Sequence, residues 1–590
     1  MRTLRFALAT LLLLAISAFA EVPKTPQPVD LMWGVKIPMR DGVRLSATVY
    51  RPHRQKDPLP VIFELTPYIS DTYHERGYYF AQHGYVFAIV DVRGRGNSEG
   101  KFEPFFHDAQ DGYDVVEWLA KQPWSNGKIA MWGGSYAGFD QWMTLREQPP
   151  HLATIVPAAA AHIGVDFPAF HNIFPSYIIQ WLTFTSGVTG NGNLFGEFSF
   201  WNEKFGEMYR QHLPFRDLDK IVGNTTTAFQ QWLQHPEVDQ YYKPLELSPD
   251  QYKQIHIPIL TITGSYDDDQ PGALAYYKAH MQHGAGEAKA QHYLIIGPWD
   301  HAGTRTPKRD VGGLTFGENS KLDMNKLHTD WYDWTLKNGS KPEFLKERVA
   351  YYVMGADEWK YSDSLESIAR RTSTFYLDSQ NGQASDVFHS GELTDQKPTS
   401  SQPDKYLYDP LDLRFGELEE TEFPNYLTDQ RFALVLHGNG VIYQSGPFTQ
   451  DTEISGCPKL VLWIAMDVLD TDLEVSLSEI KADGSSVRLS GDLLRARYRE
   501  SLSHAKLVKP GTIERYKFAG FTWFSRRIAK GSRIRVVVDS PNSRSLEKNY
   551  NSGGVVADET AKDAHSAHVT IYHDAEHPSY IELPVAEPAR

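Results

Sequence analysis

The chain has 590 residues, 41% of them apolar and 13% aromatic, and this composition suits two or three hydrophobic cores rather than one. Its 59 Lys and Arg against 74 Asp and Glu give a net charge of −15 with no basic block, which argues against nucleic-acid and anionic-membrane partners. A single cysteine excludes an intramolecular disulfide and a cysteine-based metal site.

The first twenty residues have the pattern of a secretory signal peptide. Two arginines precede an apolar run that ends in Ala18-Phe19-Ala20, a small-x-small cleavage pattern. The run is shorter than the roughly 20 residues that a membrane span needs, and no later segment is long enough. We therefore predict a signal peptide over residues 1–20 and a secreted or periplasmic mature chain without a membrane span.

From about Leu45, short apolar runs alternate with longer amphipathic stretches such as residues 111–122. The apolar runs are PVIFEL (60–65), YVFAIVDV (85–92), KIAMW (128–132), IPILTITG (257–264) and HYLIIG (292–297). Continuous apolar strands separated by helices are typical of a parallel sheet that is covered on both faces. The pattern predicts an α/β domain in two parts, residues 21–148 and 257–347.

Between these two parts, residues 149–256 carry aromatic side chains at roughly helical spacing, without an evident strand. An insertion of this size is most simply a helical cap over the carboxyl ends of the strands. Its aromatic residues are expected to serve packing more often than ligand binding.

From residue 348 to 590 the pattern changes to short period-two runs separated by turn residues. Asp483-Gly484 lies between two alternating runs, which is a hairpin signal. This part is predicted to be an all-β, jelly-roll-like sandwich.

Ser135 lies in MWGGSYAGFDQW, between an apolar strand and a helix-compatible stretch. Strand, glycine-rich turn with serine, then helix is the arrangement of a nucleophile elbow. Gly133 takes the glycine position two residues before the serine, but Ala137 takes the one two residues after it, and Gly138 follows. The match by itself is equally compatible with a serine in an ordinary loop.

Acid and base candidates follow the next two predicted strands. ILTITGSYDDD ends in Asp267, Asp268 and Asp269, and HYLIIGPWDHAG ends in Asp300 and His301. A serine hydroxyl needs a base that an acid orients, and in this fold the chain order is Ser, Asp, His. Ser135, Asp267 and His301 therefore form the predicted catalytic constellation.

The same residues are compatible with other interpretations. The aspartate run lacks the alternating carboxylates, glycine and distal glutamate of a calcium loop, and His301 could be a structural histidine. The glycines of DVRGRGNSEG have the spacing GxGxxxG, with no acid on a strand about 20 residues later, so they predict a turn rather than a dinucleotide site.

Taken together, GGSYAGFDQW, GSYD, GPWDH, DVRGRGNSEG and RARYRES (495–501) resemble the cocaine-esterase/NonD (CocE/NonD) hydrolases. That family is related to the Xaa-Pro dipeptidyl-peptidases of peptidase family S15 and to α-amino-acid ester hydrolases. The resemblance covers nearly the whole mature chain and implies an α/β-hydrolase domain, a helical cap and a C-terminal jelly roll.

The resemblance also implies roles for single residues. Ser135 would be the nucleophile, Asp267 the orienting acid and His301 the base. The oxyanion hole would use the backbone N–H of Tyr136 and the hydroxyl of Tyr68, since this chain lacks a glycine-rich loop that would present a second backbone donor. Tyr73 is the alternative to Tyr68.

The resemblance bears on the substrate class through the position two residues after the acid. Two residues after the acid, the aryl-ester branch carries an aromatic residue and the amino-ester branch a carboxylate, and this chain has Asp269. Asp269 therefore favours a substrate with a free α-amino group. The acidic cluster of that branch is incomplete here, because its next position is Gln270 and the cap offers only Asp166, displaced in sequence.

We therefore predict an exported serine hydrolase that cleaves carboxylic esters or amides through an acyl-enzyme, with α-amino-acid-type acyl groups among its candidate substrates. This chemistry needs no cofactor and no metal. An Xaa-Pro dipeptidyl-peptidase acting on short peptides is the enzymatic alternative, and a surface- or carbohydrate-binding protein on a hydrolase scaffold is the non-enzymatic one. The oligomeric state, including a homo-oligomer, stays open.

Overall fold

A computed structural model describes residues 29–586, except 380–381, 400–401, 423, 432–433 and 435–437. The predicted signal peptide lies outside the described residues. Within them, none of the helices combines the length and apolar character needed to cross a bilayer.

The first part of the chain forms a ten-stranded sheet with helices around it. The strands are β1 (Val29–Pro38), β2 (Arg44–Pro52), β3 (Leu59–Thr66), β4 (Val86–Asp91), β5 (Ser125–Ser135), β6 (Leu152–Ala160), β7 (Ile259–Tyr266), β8 (His292–Asp300), β9 (Asp310–Val311), β10 (Leu314–Thr315), β11 (Val349–Val353) and β12 (Glu358–Ser362), of which β9 and β10 pair separately. The helices are α1 (His74–Gln82), α2 (Asp108–Ala120), α3 (Tyr136–Arg146), α4 (Tyr177–Phe184), α5 (Gly192–Phe195), α6 (Phe198–Arg210), α7 (Leu218–Ile221), α8 (Thr227–Gln234), α9 (Pro249–Lys253), α10 (Gln270–His283), α11 (Gly286–Ala290) and α12 (Met324–Lys337).

The strand order is β1-β2-β4-β3-β5-β6-β7-β8-β11-β12. Every pair from β4 to β11 is parallel, and the pairs at the two edges are antiparallel. All five predicted strands are present, and the predicted α/β class is confirmed. Because β5, β6, β7 and β8 are parallel neighbours, their carboxyl ends meet at one edge of the sheet, where an open α/β sheet binds its ligand.

The central strands are apolar on both faces because both faces are covered. In β3, Val61, Ile62 and Phe63 are all fully buried. Val61 and Phe63 belong to one core cluster, whereas Ile62 belongs to another, as expected when successive side chains point to opposite faces.

The prediction that residues 149–256 hold no strand is wrong at its start. Residues 152–160 form β6, which pairs with β5 in parallel and places Pro157 opposite Gly133. The segment LATIVPAAA contains a proline and four alanines, so its β-propensity is weak and the pairing with β5 decides its conformation. The inserted helices α4 to α9 follow β6.

The second part is all-β, as predicted. Its strands are β13 (Arg371–Asp378), β14 (Gly391–Thr394), β15 (Asp404–Tyr408), β16 (Gly440–Ser445), β17 (Thr452–Gly456), β18 (Lys459–Met466), β19 (Asp472–Ile480), β20 (Ser486–Arg495), β21 (Glu514–Phe518), β22 (Phe524–Ile528), β23 (Arg533–Asp539), β24 (Ala567–Tyr572) and β25 (Tyr580–Val585), with one short helix, α13 (Arg414–Glu417). The predicted hairpin turn joins β19 to β20, with Gly484 at a φ of +86° and its N–H donating to the carbonyl of Lys481 at 2.9 Å.

The first sheet extends past the boundary predicted at residue 348. β11 pairs in parallel with β8, and β12 then pairs with β11. The segment RVAYYVMG is one of the period-two runs that predict the β domain, but all five residues of β11 are buried in the α/β sheet. Pairing with β8 over long range, rather than local pattern, decides its position.

Candidate active site

Ser135 occupies a strained turn between β5 and α3. Its φ is +63° and its ψ is −126°, a combination that residues with a side chain rarely adopt. A Cβ atom at Gly133, whose φ is +149°, would lie 2.7 Å from the Cβ of Ala137, and one at Gly138 would lie 2.8 Å from the Cα of Ala160. The glycines therefore allow α3 to pack closely on the sheet, and the turn presents the serine at the carboxyl edge.

Asp267 and His301 follow β7 and β8, and the structure brings them together. The Nδ1 of His301 lies 2.8 Å from Oδ1 of Asp267, whose side chain is fully buried. Asp267 is held in turn by the hydroxyl of Thr263, which donates to Oδ2 at 2.8 Å, and by the N–H of Asp269, which donates to Oδ1 at 3.1 Å. An Nδ1–H donated to the carboxylate leaves Nε2 as the basic nitrogen of the imidazole.

The charge around His301 raises its pKa. Burial acts to lower the pKa, but the charge of Asp269 and the hydrogen bond that His301 donates to Asp267 outweigh burial, and the net shift is upward. A general base must be neutral, so an activity that depends on His301 is lost as the pH falls through the pKa of His301. The upward shift places the midpoint of that loss above the ordinary histidine value near pH 6.5.

Tyr136 is the first residue of α3, so its backbone N–H has no partner within the helix and lies at the positive end of the helix dipole. Its side chain points elsewhere: the hydroxyl donates to Oδ2 of Asp108 at 2.7 Å and accepts from the N–H of Phe105 at 2.7 Å. Any contribution of Tyr136 to the site therefore comes from its backbone.

The hydroxyl of Tyr68 lies 3.4 Å from Oγ of Ser135 and donates to it. The indole Nε1–H of Trp181, on cap helix α4, donates to the same hydroxyl at 3.2 Å, and the ring of Tyr68 stacks on that of Phe184. Because Trp181 can only donate, it occupies an acceptor position of the phenol and leaves the O–H to point at the serine. The alternative, Tyr73, packs edge to face on Trp132 instead.

Two residues that support this arrangement were not identified from the sequence. Trp181 was included only among the packing aromatics of the cap. Arg95, from the glycine-rich turn after β4, is fully buried and donates to the carbonyl of Pro67 at 2.7 Å and to cap carbonyls including Ser186 at 3.0 Å. Arg95 thus joins the backbone that precedes Tyr68 to the cap, and no local pattern in the sequence signals that contact.

Asp269 lies beside the histidine, with Oδ2 3.8 Å from Nδ1 of His301 and its side chain 15% exposed. Burial, together with Asp166 and Asp267, raises the pKa of Asp269 well above its usual range, despite the opposing effect of His301. Burial likewise raises the pKa of Asp166 to about 8, although the N–H groups of His162 (2.8 Å) and Gly272 (2.5 Å) bind its carboxylate. Asp166 does not lie at the sequence position where the amino-ester branch has its cap acid. It nevertheless comes within electrostatic range of Asp269.

Gln270 has a structural role. Its amide donates to the carbonyl of Trp523 at 2.8 Å and accepts from the N–H of Trp523 at 2.6 Å. Gln270 follows Asp269 directly, so these two hydrogen bonds join the start of α10 to the β domain. Among the residues that the structure describes, no group of three or more His, Cys, Asp or Glu side chains is arranged to hold a metal ion.

We expect Tyr68→Phe to lower kcat for an activated ester by about 10²- to 10³-fold, because it removes the hydroxyl that is predicted to donate to the developing oxyanion. KM should change little, since the hydroxyl contributes mainly to the transition state. Steady-state kinetics with p-nitrophenyl acetate measures both. Tyr73→Phe is the matched control, and an equal loss in both variants would contradict the assignment to Tyr68.

Two family models match this chain: the X-Pro dipeptidyl-peptidase (S15 family) model over residues 41–303 and the X-Pro dipeptidyl-peptidase C-terminal non-catalytic domain model over residues 344–582. Cocaine esterase of Rhodococcus sp. is 27% identical over 575 residues, which cover 93% of this chain and 98% of the relative. An α-amino-acid ester hydrolase structure superposes with a TM-score of 0.81 at 22% identity, over 96% of this chain and 100% of that chain. An aminopeptidase from a marine sediment Thaumarchaeota archaeon gives 0.81 at 21% identity, over 97% and 100%.

The fold and the relatives define a serine hydrolase of the α/β-hydrolase class. The chain belongs to the family that unites the CocE/NonD hydrolases with the S15 X-Pro dipeptidyl-peptidases. It is therefore an enzyme, and the alternative of a binding protein on a hydrolase scaffold is set aside.

Proposed function

We propose that this enzyme cleaves carboxylic esters or amides in two steps through an acyl-enzyme on Ser135. His301 takes the serine proton through Nε2 and returns it to the leaving group, while Asp267 orients the imidazole and stabilises its protonated form. The N–H of Tyr136 and the hydroxyl of Tyr68 stabilise the oxyanion. In the second step His301 takes a proton from water, the resulting hydroxide attacks the acyl group, and His301 returns the proton to Ser135. The hydrogen bond between His301 and the buried Asp267 is the observation that carries this proposal.

We propose further that the acyl group carries a free α-amino group. Asp269 offers a largely buried carboxylate beside the base, and Asp166 adds a second acid within electrostatic range. An ammonium group would favour ionised Asp269, because it would offset the burial and the neighbouring acids that now raise the pKa of that carboxyl. An α-amino-acid ester hydrolase has the same fold.

Asp269→Asn tests the amino-group preference. We expect the variant to lose about 10- to 100-fold in kcat/KM for phenylglycine methyl ester, the range of one charge-assisted hydrogen bond, with little loss for the N-acetylated ester. Asp268→Asn, at the exposed neighbouring position, is the matched control. Equal losses on both esters would contradict the assignment of Asp269 to the amine.

A dipeptidyl-peptidase activity is the second candidate. Both matched family models are described as X-Pro dipeptidyl-peptidase domains, and the same Asp269 could bind the amino terminus of a peptide. Comparison of kcat/KM for an Ala-Pro anilide and for phenylglycine methyl ester separates the two. A higher value for the anilide would favour the peptidase.

We propose that the mature enzyme acts outside the cytoplasm, on the basis of the signal-peptide pattern of residues 1–20. Amino-terminal sequencing of the protein secreted by its host tests this, since cleavage after Ala20 would leave Glu21 first. A product that still begins at Met1 would contradict the proposal.

A further inference from the structure

Arg305 lies in the loop after His301, and its side chain packs against the turn that carries the nucleophile. A Cβ atom at Gly134 would overlap Nη1 of Arg305 and lie 2.7 Å from its Cδ. The φ of Gly134 is not positive, so backbone conformation does not demand a glycine there. Arg305, together with the carbonyl oxygen of Ala158 at 3.0 Å from that Cβ position, therefore fills the space beside the glycine that directly precedes Ser135.

The same loop is also held to β5 through its backbone. Arg76 donates from Nη2 to the carbonyl of Arg305 at 2.7 Å, and its guanidinium lies 5.3 Å from the ring centre of Trp132. Trp132 precedes Ser135 by three residues on the same strand. Both the main chain and the side chain of Arg305 thus join the histidine loop to the strand that carries the serine.

The guanidinium of Arg305 has few polar contacts of its own. Its Nη1 is buried and, among the described residues, has no hydrogen-bond partner and makes no ion pair. Glu64, on β3 beneath Gly133, is fully buried and both of its oxygens also lack partners. Burial raises the pKa of Glu64 well above its usual range, while Arg305 and Arg76 oppose that shift. Three buried polar atoms without a hydrogen-bond partner, two of Glu64 and one of Arg305, thus belong to residues that pack against the Gly133–Ser135 turn.

The charge of Arg305 acts on two predicted catalytic groups. Burial has the largest effect on the pKa of each, and Arg305 acts with burial to lower the pKa of His301 and against burial to lower that of Tyr68. Three other charged groups interact electrostatically with His301, namely Asp267, Asp268 and Asp269. The other titratable groups that interact electrostatically with Arg305 are Glu64, Arg76, Tyr68, Tyr73 and Tyr177.

We propose that Arg305 is a positioning residue of the hydrolytic reaction: it holds the His301 loop against the Gly133–Ser135 turn and places a positive charge beside the oxyanion site. The proposal rests on the proposed function of Ser135 and His301. It also assigns a purpose to the second glycine of GGS, which the elbow pattern alone does not require.

Arg305→Met tests the proposal because it keeps much of the side-chain volume and removes the charge. We expect kcat for p-nitrophenyl acetate to fall about 10- to 100-fold with KM within about threefold, the effect of misplaced catalytic groups. We also expect the pKa of His301 to rise, so the acid limb of kcat/KM moves to higher pH. Arg309→Met is the matched control, since Arg309 lies on the same loop but pairs with Glu318 at the surface.

Two further variants keep the proposal testable if Arg305→Met is unstable. Arg305→Lys retains the charge, so its acid limb should stay near that of the wild type. Gly134→Ala displaces the guanidinium, so it should move the limb as Arg305→Met does and cause no further loss when the two changes are combined.

The pKa of His301 can be measured without substrate, from the NMR titration of its imidazole, assigned by its loss in His301→Gln. An unchanged pKa in Arg305→Met, or additive losses for Gly134→Ala and Arg305→Met, would overturn the role of Arg305. Absence of serine-dependent ester turnover in the wild type would instead overturn the proposed function, and the titration would still decide whether Arg305 acts on His301.

Discussion

Ser135→Ala should reduce kcat for p-nitrophenyl acetate by about 10⁴- to 10⁶-fold, because no other group in the proposed mechanism can form the acyl-enzyme. The thermal unfolding midpoint should be close to that of the wild type. Alanine meets the same backbone strain as serine at a φ of +63°, and the lost hydroxyl has one long hydrogen bond, 3.4 Å from Tyr68. Steady-state kinetics and calorimetry measure the two quantities.

Covalent labelling gives an independent measurement for the same variant. A fluorophosphonate should label the wild type at Ser135 and leave Ser135→Ala unlabelled, as identified by peptide mass spectrometry. Ser485→Ala is the matched control, since Ser485 lies in the exposed hairpin between β19 and β20. Retained turnover, or labelling at another serine, would remove Ser135 from the mechanism.

Asp267→Ala should lower kcat by about 10⁴-fold, because the imidazole would lose both its orienting acceptor and the charge that stabilises its protonated form. Asp267→Asn should lose less. The asparagine can place its Nδ2 amide group toward the hydroxyl of Thr263. Its Oδ1 oxygen then still accepts from Nδ1 of His301 and from the N–H of Asp269, so mainly the negative charge is lost. We therefore expect kcat to decrease in the order wild type, Asp267→Asn, Asp267→Ala.

The pH profile distinguishes this role from a general loss of structure. Asp269 and Asp267 both raise the pKa of His301 against the effect of burial, so removal of the Asp267 carboxylate lowers that pKa. The acid limb of kcat/KM should therefore move to lower pH in both Asp267 variants. Asp268→Asn, at the exposed neighbour, is the control for kcat and should keep most of the activity. An unmoved acid limb in Asp267→Ala would contradict the assignment.

Periodicity predicted the five apolar strands because each is buried on both faces and contains few polar residues. β6 and β11 were not assigned to the sheet because their local signals are weak or misleading. Pro157 and the alanines of β6 do not suggest a strand, and β11 lies in one of the period-two runs that predict the β domain. Both strands form because neighbouring strands offer them unpaired backbone groups, which a local pattern cannot report.

Chain order and strand ends were sufficient to predict Ser135, Asp267 and His301 as candidates, since parallel strands bring their carboxyl ends to one edge. The sequence by itself thus determined the fold class and which residues could meet. The tertiary structure decided the contacts of Trp181 with Tyr68 and of Arg305 with Gly134. These contacts join distant segments whose side chains meet only when cap, loop and sheet pack together, and no local spacing encodes that packing.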